Sequence, residues 1–385
     1  MNISFCKLGE EECDFCESIK YHDCKAELPV SESSTDTERL EGINAGVCEE
    51  CDSWVRHFEN AKLSRTAYRN DADRYPEPGK LFLSGDMQKV VLLPRLPGMK
   101  KCIFTRRIIA FNETFAPLKP SKEVKKTWQK EKKIPTNVKP VGIVWHEGIT
   151  GRNDEDVTSA NTKLFTLPDY REATDIVEWL DNCSAQLKNW TAFGAMVFTV
   201  NNHPTIQSIT LKYFEKGHTF MSADAFHHQV EQAMKDMKNV YTFQDFVQCV
   251  NKNGIAVEMR SHDFHDYRKY LSSGKDTHYP KLNDIVVAQF RRGSTKLFWK
   301  TSHTEVDYKS GEFLQKKFRK RVWVGVNDPK KSGARGVQTS KKMTILKNIG
   351  PLIPACCLEF WRDLPENEKS ADLTANYDHL ANPTE

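Results

Sequence analysis

The sequence predicts an α/β protein, a mixed sheet with flanking helices on both faces, preceded by a small cysteine-rich module. Three observations predict it. Short apolar runs rich in β-branched residues, separated by turn residues, occupy the stretch from Leu81 to Trp145. A strand–helix–strand–helix passage then runs from Ala173 to Met237, the pattern of a sheet covered on both sides. Six of the 11 cysteines lie within the first 51 residues. The 385 residues, 39% hydrophobic, suffice for one large core and an appended module. A net charge of +4 excludes a globally polycationic nucleic-acid binder, so any basic surface is local.

Residues 1–75 hold the cysteine module and a helix. The polar stretch Val30–Glu41 reads as a mobile loop. From Trp54 to Asp73 the pattern is helical, with Trp54, Phe58, Ala61, Ala67 and Tyr68 on one face. Tyr75-Pro76-Glu77-Pro78-Gly79 marks a boundary. The core, 76–310, opens with strands at Leu81–Ser84, Val90–Leu93, Cys102–Phe111 and Val141–Trp145. Between the last two, the Lys-rich insert 119–139 reads as a solvated loop rather than a nucleic-acid contact. Ala173–Leu180 is a further apolar run, Lys188–Val200 a buried helix, Ile206–Tyr213 a strand and Ser222–Met237 a helix. Strands follow at Ile255–Met259, Ile285–Phe290 and Lys296–Trp299. Residues 311–365 form a basic extension, and 366–385, polar and aperiodic, a disordered tail.

No apolar run approaches the roughly 18 residues needed to span a bilayer, and the acidic N-terminus lacks the apolar segment of a secretory signal. The expectation is an intracellular protein without membrane partners. In a reducing compartment, clustered cysteines bind metal more often than they form disulfides. Cys13-x-x-Cys16 and Cys48-x-x-Cys51 are two such knuckles, each placing two thiolates on one tight turn. His57 follows on the next helix, and His22 and Cys24 lie just after the first pair. Either one mixed zinc site or two sites can form from these ligands. A zinc with four protein ligands has no open position, so it would fold the module rather than catalyse.

The carboxylates carry a different chemistry. Asp86 follows the first core strand and Asp181 ends a later one. Neighbouring strands lie about 4.8 Å apart, so if these two are adjacent their carboxylates can share a divalent ion. Asp224 and Glu231 are seven residues apart on one predicted helix and so share a face; His227 and His228 lie between them. The ordered set strand-acid, strand-acid, helix-acid favours two-metal phosphoryl transfer, in which two ions activate the attacking oxygen and stabilise the leaving one. Hard Mg²⁺ or Mn²⁺ ions take oxygen ligands, hence carboxylates rather than thiolates.

With these residues in hand, the chain resembles a broad group of animal proteins associated with mobile elements, with a transposase-like, ribonuclease H-like core and N-terminal zinc knuckles. The landmarks are the cysteine knuckle with His57 and Ala61, Gly85-Asp86-Met87-Gln88 with Leu93-Pro94-Arg95-Leu96-Pro97, Glu147 to Arg152, Asp181 to Asn189, and Gly217-His218 through Asp224 to Glu231. The Asp181–Asn189 passage departs from the family pattern: Ser184 and Ala185 replace small residues that are commonly glycine, and Leu187 replaces an asparagine. The acids are retained. The resemblance implies Asp86 and Asp181 as metal ligands, with Asp224 or Glu231 as third acid. Asn182, Gln186, Asn189, Arg152 and His218 would position phosphate or the ions.

The function expected is a divalent-metal-dependent DNA nuclease or strand transferase acting in the nucleus, with structural zinc, with DNA as partner and with itself as a homo-oligomer. The alternative is a catalytically inactive, domesticated transposase that binds DNA or protein. Other chemistries find no motif: the chain has no phosphate loop, dinucleotide loop or nucleophile elbow. Cys183, among three carboxylates, is a poor thiolate candidate because like charge opposes its ionisation.

Overall fold

A computed structural model describes residues 13–22, 48–74, 77–131, 138–184, 186–270, 280–324 and 333–373. Among the described residues, the N-terminal part has the helices α1 (Asp14–Ile19) and α2 (Glu49–Ala72). Then follow β1 (Lys80–Met87), β2 (Val91–Leu93), α3 (Lys100–Phe104), β3 (Ile108–Pro117), α4 (Lys122–Lys130) and β4 (Val141–His146). The next passage is α5 (Asp154–Leu164), β5 (Asp175–Leu180), α6 (Trp190–Asn202), β6 (Ser208–Tyr213), α7 (Ser222–Met237), α8 (Phe243–Asn251) and β7 (Ile255–Glu258). The chain continues through β8 (Val287–Arg291), β9 (Lys296–Lys300), β10 (Lys309–Glu312), α9 (Lys316–Arg321), α10 (Thr339–Asn348) and α11 (Leu358–Asp363).

All ten strands belong to one mixed sheet, ordered β10-β9-β8-β6-β5-β1-β3-β4-β7, with β2 added to β3. Three of the central strands, β1, β3 and β4, pair antiparallel, while β5 and β6 run parallel to β1. The parallel step from β5 to β6 is made by a crossover through α6, since parallel neighbours cannot be joined by a tight hairpin. Side chains alternate across the sheet. On β3, Ile109, Phe111 and Phe115 join the cluster that holds Val157, Ala160 and Leu164 of α5 and Phe193, Met196 and Val197 of α6. The intervening Ile108 and Ala110 face the other cluster, with Phe226, Val230 and Met234 of α7 and Phe246 and Val250 of α8. A strand buried on both faces tends to read as a near-continuous apolar run; β4 (VGIVWH) does, whereas β3, equally buried, carries Asn112, Glu113 and Thr114 in its middle.

Several expectations are corrected. The Cys102–Phe111 run is not one strand: Cys102 is buried while Phe104 is 85% exposed, so 100–104 winds into a short helix and continuous burial begins at Ile108. The Lys-rich insert carries α4, capped by Ser121 Oγ accepting from the Val124 N–H. Helices α5 and α8 are additional elements. An expected boundary at 310/311 falls inside β10, which pairs with β9. The C-terminal part packs on the core: Ile345 and Trp361 are fully buried in the α7–α8 cluster. Residues 366–373, expected to be disordered, are held in place. Asp372 bonds Lys341 at 2.9 Å, and Lys341 reaches Glu147 at 2.6 Å. The loop Val30–Glu41, Cys24 and Ala185 lie outside the described residues.

Candidate metal centre

The acids converge because two adjacent strands end together. β1 and β5 are parallel neighbours paired up to Gly85 and Leu180. One residue further stand Asp86 and Asp181. Asp86 is the penultimate residue of β1 rather than a residue following it. Gly85 permits this close packing: a Cβ there would lie 2.9 Å from Leu180 Cδ2 and 3.0 Å from Phe115 Cε1. Two residues before Asp86, on the same face, Ser84 Oγ accepts from the Ala223 N–H at 3.0 Å. The Ser222 N–H donates to Tyr68 Oη of α2 at 3.1 Å. These bonds fix the start of α7 over β1, where Asp224 Oδ2 accepts from the Met221 N–H at 2.8 Å. Ligating atoms of Asp86, Asp224 and His227 all lie within 4.8 Å of one another. His227 Nδ1 is 3.8 Å from Asp86 Oδ2.

The electrostatics follow. Asp86 holds its proton well above the usual carboxylate range, because of burial and then the charges of Asp181 and Asp224; Gln186 acts against this with a side-chain hydrogen bond. Burial pushes Asp181 up to about 6, opposed by the Cys183 N–H, which donates to Oδ1 at 3.2 Å, and aided by Asp224. Burial brings His227 down to about 4, so it is neutral near pH 7. Repulsion among carboxylates is what a bound cation relieves.

Among the sequence candidates, Asp86, Asp181, Asp224 and Gln186 come together. Glu231 does not: it lies two helical turns beyond Asp224, about 10 Å along the axis. Asn189 is a helix cap, its Oδ1 accepting from the Ala192 N–H at 2.8 Å while Nδ2 donates to the carbonyls of Ser184 and Gln186. Asn182 Oδ1 accepts from Lys188 Nζ at 2.7 Å. Arg152 is exposed before α5, and its charge acts on Glu113.

Three residues escaped the sequence reading. Glu113 of β3 is fully buried, with neither oxygen hydrogen-bonded, and is raised well above the usual range by burial and by Asp86, Asp181 and Glu178. Glu178 of β5 is raised to about 7 by burial, against a hydrogen bond from Asn161. Both lie on the α5–α6 face of the sheet, opposite Asp86. Lys188 is buried over the Tyr213 ring, 5.0 Å from its centroid, and burial lowers it to about 8. For Glu178 the signal was there, an acid inside the apolar run of β5; Glu113, between Asn112 and Thr114, carried none.

The cysteines form two separate Cys/His clusters, the second of the two arrangements that the sequence left open. Cys13, Cys16, His57 and His218 make one, and His22, Cys48 and Cys51 the other. His218 therefore stands with the thiols rather than with the carboxylates. Both clusters can hold a metal such as zinc. Among the described residues, no helix is long and apolar enough to cross a membrane. Compared with protein-family models, with curated proteins and with solved structures, the chain matches none of them.

Proposed function

We propose that the chain is a transposase-derived DNA nuclease or strand transferase that works with Mg²⁺ or Mn²⁺, on a ribonuclease H-like core with a zinc-binding N-terminal module. One observation carries the reading: Asp86 and Asp181 stand at the ends of adjacent parallel strands, with Asp224 brought over them by α7. The topology supports it. Three antiparallel strands, then helix, parallel strand, helix, parallel strand and helix give the order β4-β3-β1-β5-β6 at the sheet centre, the arrangement expected of a ribonuclease H-like core.

The donor set fits hard divalent ions. It consists of carboxylate oxygens and one neutral imidazole, and its like charges raise one another's pKa. Asp86, Asp181 and Asp224 would hold the ions, with His227 as an added ligand or hydrogen-bond partner. When bound, the ions supply Lewis acidity at the phosphoryl centre and lower the pKa of the attacking water or DNA 3′-hydroxyl. The chain's own part is positional. Ser84 and Tyr68 hold the start of α7, Gln186 orients Asp86, and the Cys183 N–H orients Asp181. Lys188 secures Asn182 beside Asp181. A phosphodiester approaching three carboxylates needs cations between them, which the divalent ions would supply.

The test is nicking of supercoiled plasmid by the purified chain with Mn²⁺, beside Asp181→Asn. Metal-dependent nicking that disappears in the variant is expected. DNA binding without nicking by either protein would shift the reading to the non-catalytic descendant. Equal nicking by both would remove Asp181 from the site.

A further inference from the structure

The first Cys/His cluster is assembled from both parts of the protein. Cys13 and Cys16 flank the start of α1, His57 comes from α2, and His218 comes from the core passage between β6 and α7. His57 Nε2 is 3.4 Å from Cys13 Sγ and 3.1 Å from His218 Nε2, and His218 Nε2 is 3.5 Å from Cys16 Sγ. Hydrogen bonds among these groups cannot account for the arrangement. Each Nε2 carries one proton or one lone pair, yet each faces a thiol and the other imidazole together. A single central cation satisfies all four groups. With Zn–S near 2.3 Å and Zn–N near 2.05 Å, tetrahedral coordination sets S···N at about 3.5 Å and N···N at about 3.3 Å. The observed separations lie close to these.

The surroundings are built for the same purpose. His57 Nδ1 is 3.0 Å from Glu215 Oε1, the outer carboxylate that commits the other ring nitrogen to a metal. Gly217 has φ +74°, and a Cβ there would fall 2.7 Å from Cys13 Sγ, so only glycine lets this backbone approach the thiol. Arg65 of α2 donates to the carbonyls of His218, at 3.0 Å, and Phe220.

We propose that Cys13, Cys16, His57 and His218 form a closed zinc site that staples the N-terminal module to the core. Four protein ligands leave no open position, so the site is structural. His218 lies six residues before Asp224 in the passage that leads into α7, so the zinc also anchors the approach to the acid centre. The assignment does not rest on the nuclease reading, because zinc content is measured without any cleavage assay.

The experiment measures zinc per chain by mass spectrometry of the metal, and the absorption of the Co²⁺-substituted protein, for the full chain and three variants. His218→Ala is expected to lose one zinc per chain. His218→Cys, which replaces the imidazole with a thiolate, is expected to keep its zinc and to add one thiolate's increment of charge-transfer absorption with Co²⁺. His262→Ala, at an exposed position, serves as control and keeps both. Wild-type zinc content in His218→Ala overturns the assignment, as does a wild-type chain purified without zinc. If His218→Ala does not fold, the His218→Cys spectrum decides: an unchanged spectrum overturns the proposal.

Discussion

Glu178 gives the most direct handle on the carboxyl groups beneath the sheet. Its side chain is fully buried, one oxygen accepting from Asn161 Nδ2 at 2.8 Å and the other without a hydrogen-bond partner. Burial raises its pKa from 4.5 to about 7. Folding therefore takes up a proton between these values. The stability of the neutral form is fully present below the unfolded pKa and is lost as pH rises through the folded one. At about 1.36 kcal/mol per pH unit, the interval between pH 4.5 and pH 7 is worth about 3 kcal/mol, lost between pH 4.5 and pH 8. Glu178→Gln preserves the shape and an acceptor for Asn161 but cannot ionise. Urea unfolding at pH 5 and pH 8 should give variant and wild type similar stability at the lower pH. At the higher pH the variant should be more stable by about 3 kcal/mol. Equal dependence on pH in the two proteins would refute the reasoning, since Glu178 would then ionise alike in the folded and unfolded chains.

Three further predictions follow. Lys341 and Glu147 are a buried pair, each side chain 2% exposed. Lys341→Met should cost about 3–5 kcal/mol by stranding the carboxylate, and adding Glu147→Leu should restore most of it; denaturation of single and double variants checks both. Ser84→Ala leaves the Ala223 N–H without its acceptor and should cost about 1–3 kcal/mol, with faster hydrogen exchange at that amide; unchanged protection would argue against the anchor. Asp224→Asn should abolish Mn²⁺-dependent nicking while Glu231→Gln leaves it within about twofold, a gap under about 0.4 kcal/mol; loss in both would bring Glu231 back into the site.

The legible parts of this chain were those with one strong local cause. The period of Ser222–Met237 located α7 at its observed bounds, because its apolar positions cover one core. The acids Asp86 and Asp181 were legible because each interrupts the end of an apolar run. Elements with mixed burial were lost. Helix α5 is buried along most of its length by polar residues such as Thr158, Ser159 and Asn161, so it carries no apolar stripe. Its start was nonetheless written in Asn153 and Asp156, whose side chains cap each other's backbone N–H groups. The choice between Asp224 and Glu231 needed three dimensions, since helical spacing puts both on one face and only the Ser84 anchor decides which end lies over β1. His218, six residues before Asp224, was placed with the acids on the family resemblance. Its partners, Cys13, Cys16 and His57, lie 161 to 205 residues away, and no spacing rule reaches that far. With the zinc site proposed above, the module and the acid centre are coupled through the 214–221 passage. A chain lacking the first knuckle should therefore lose protection from hydrogen exchange at the start of α7 before it does in the sheet, because the β1–β5 and β5–β6 ladders contain no residue of the module.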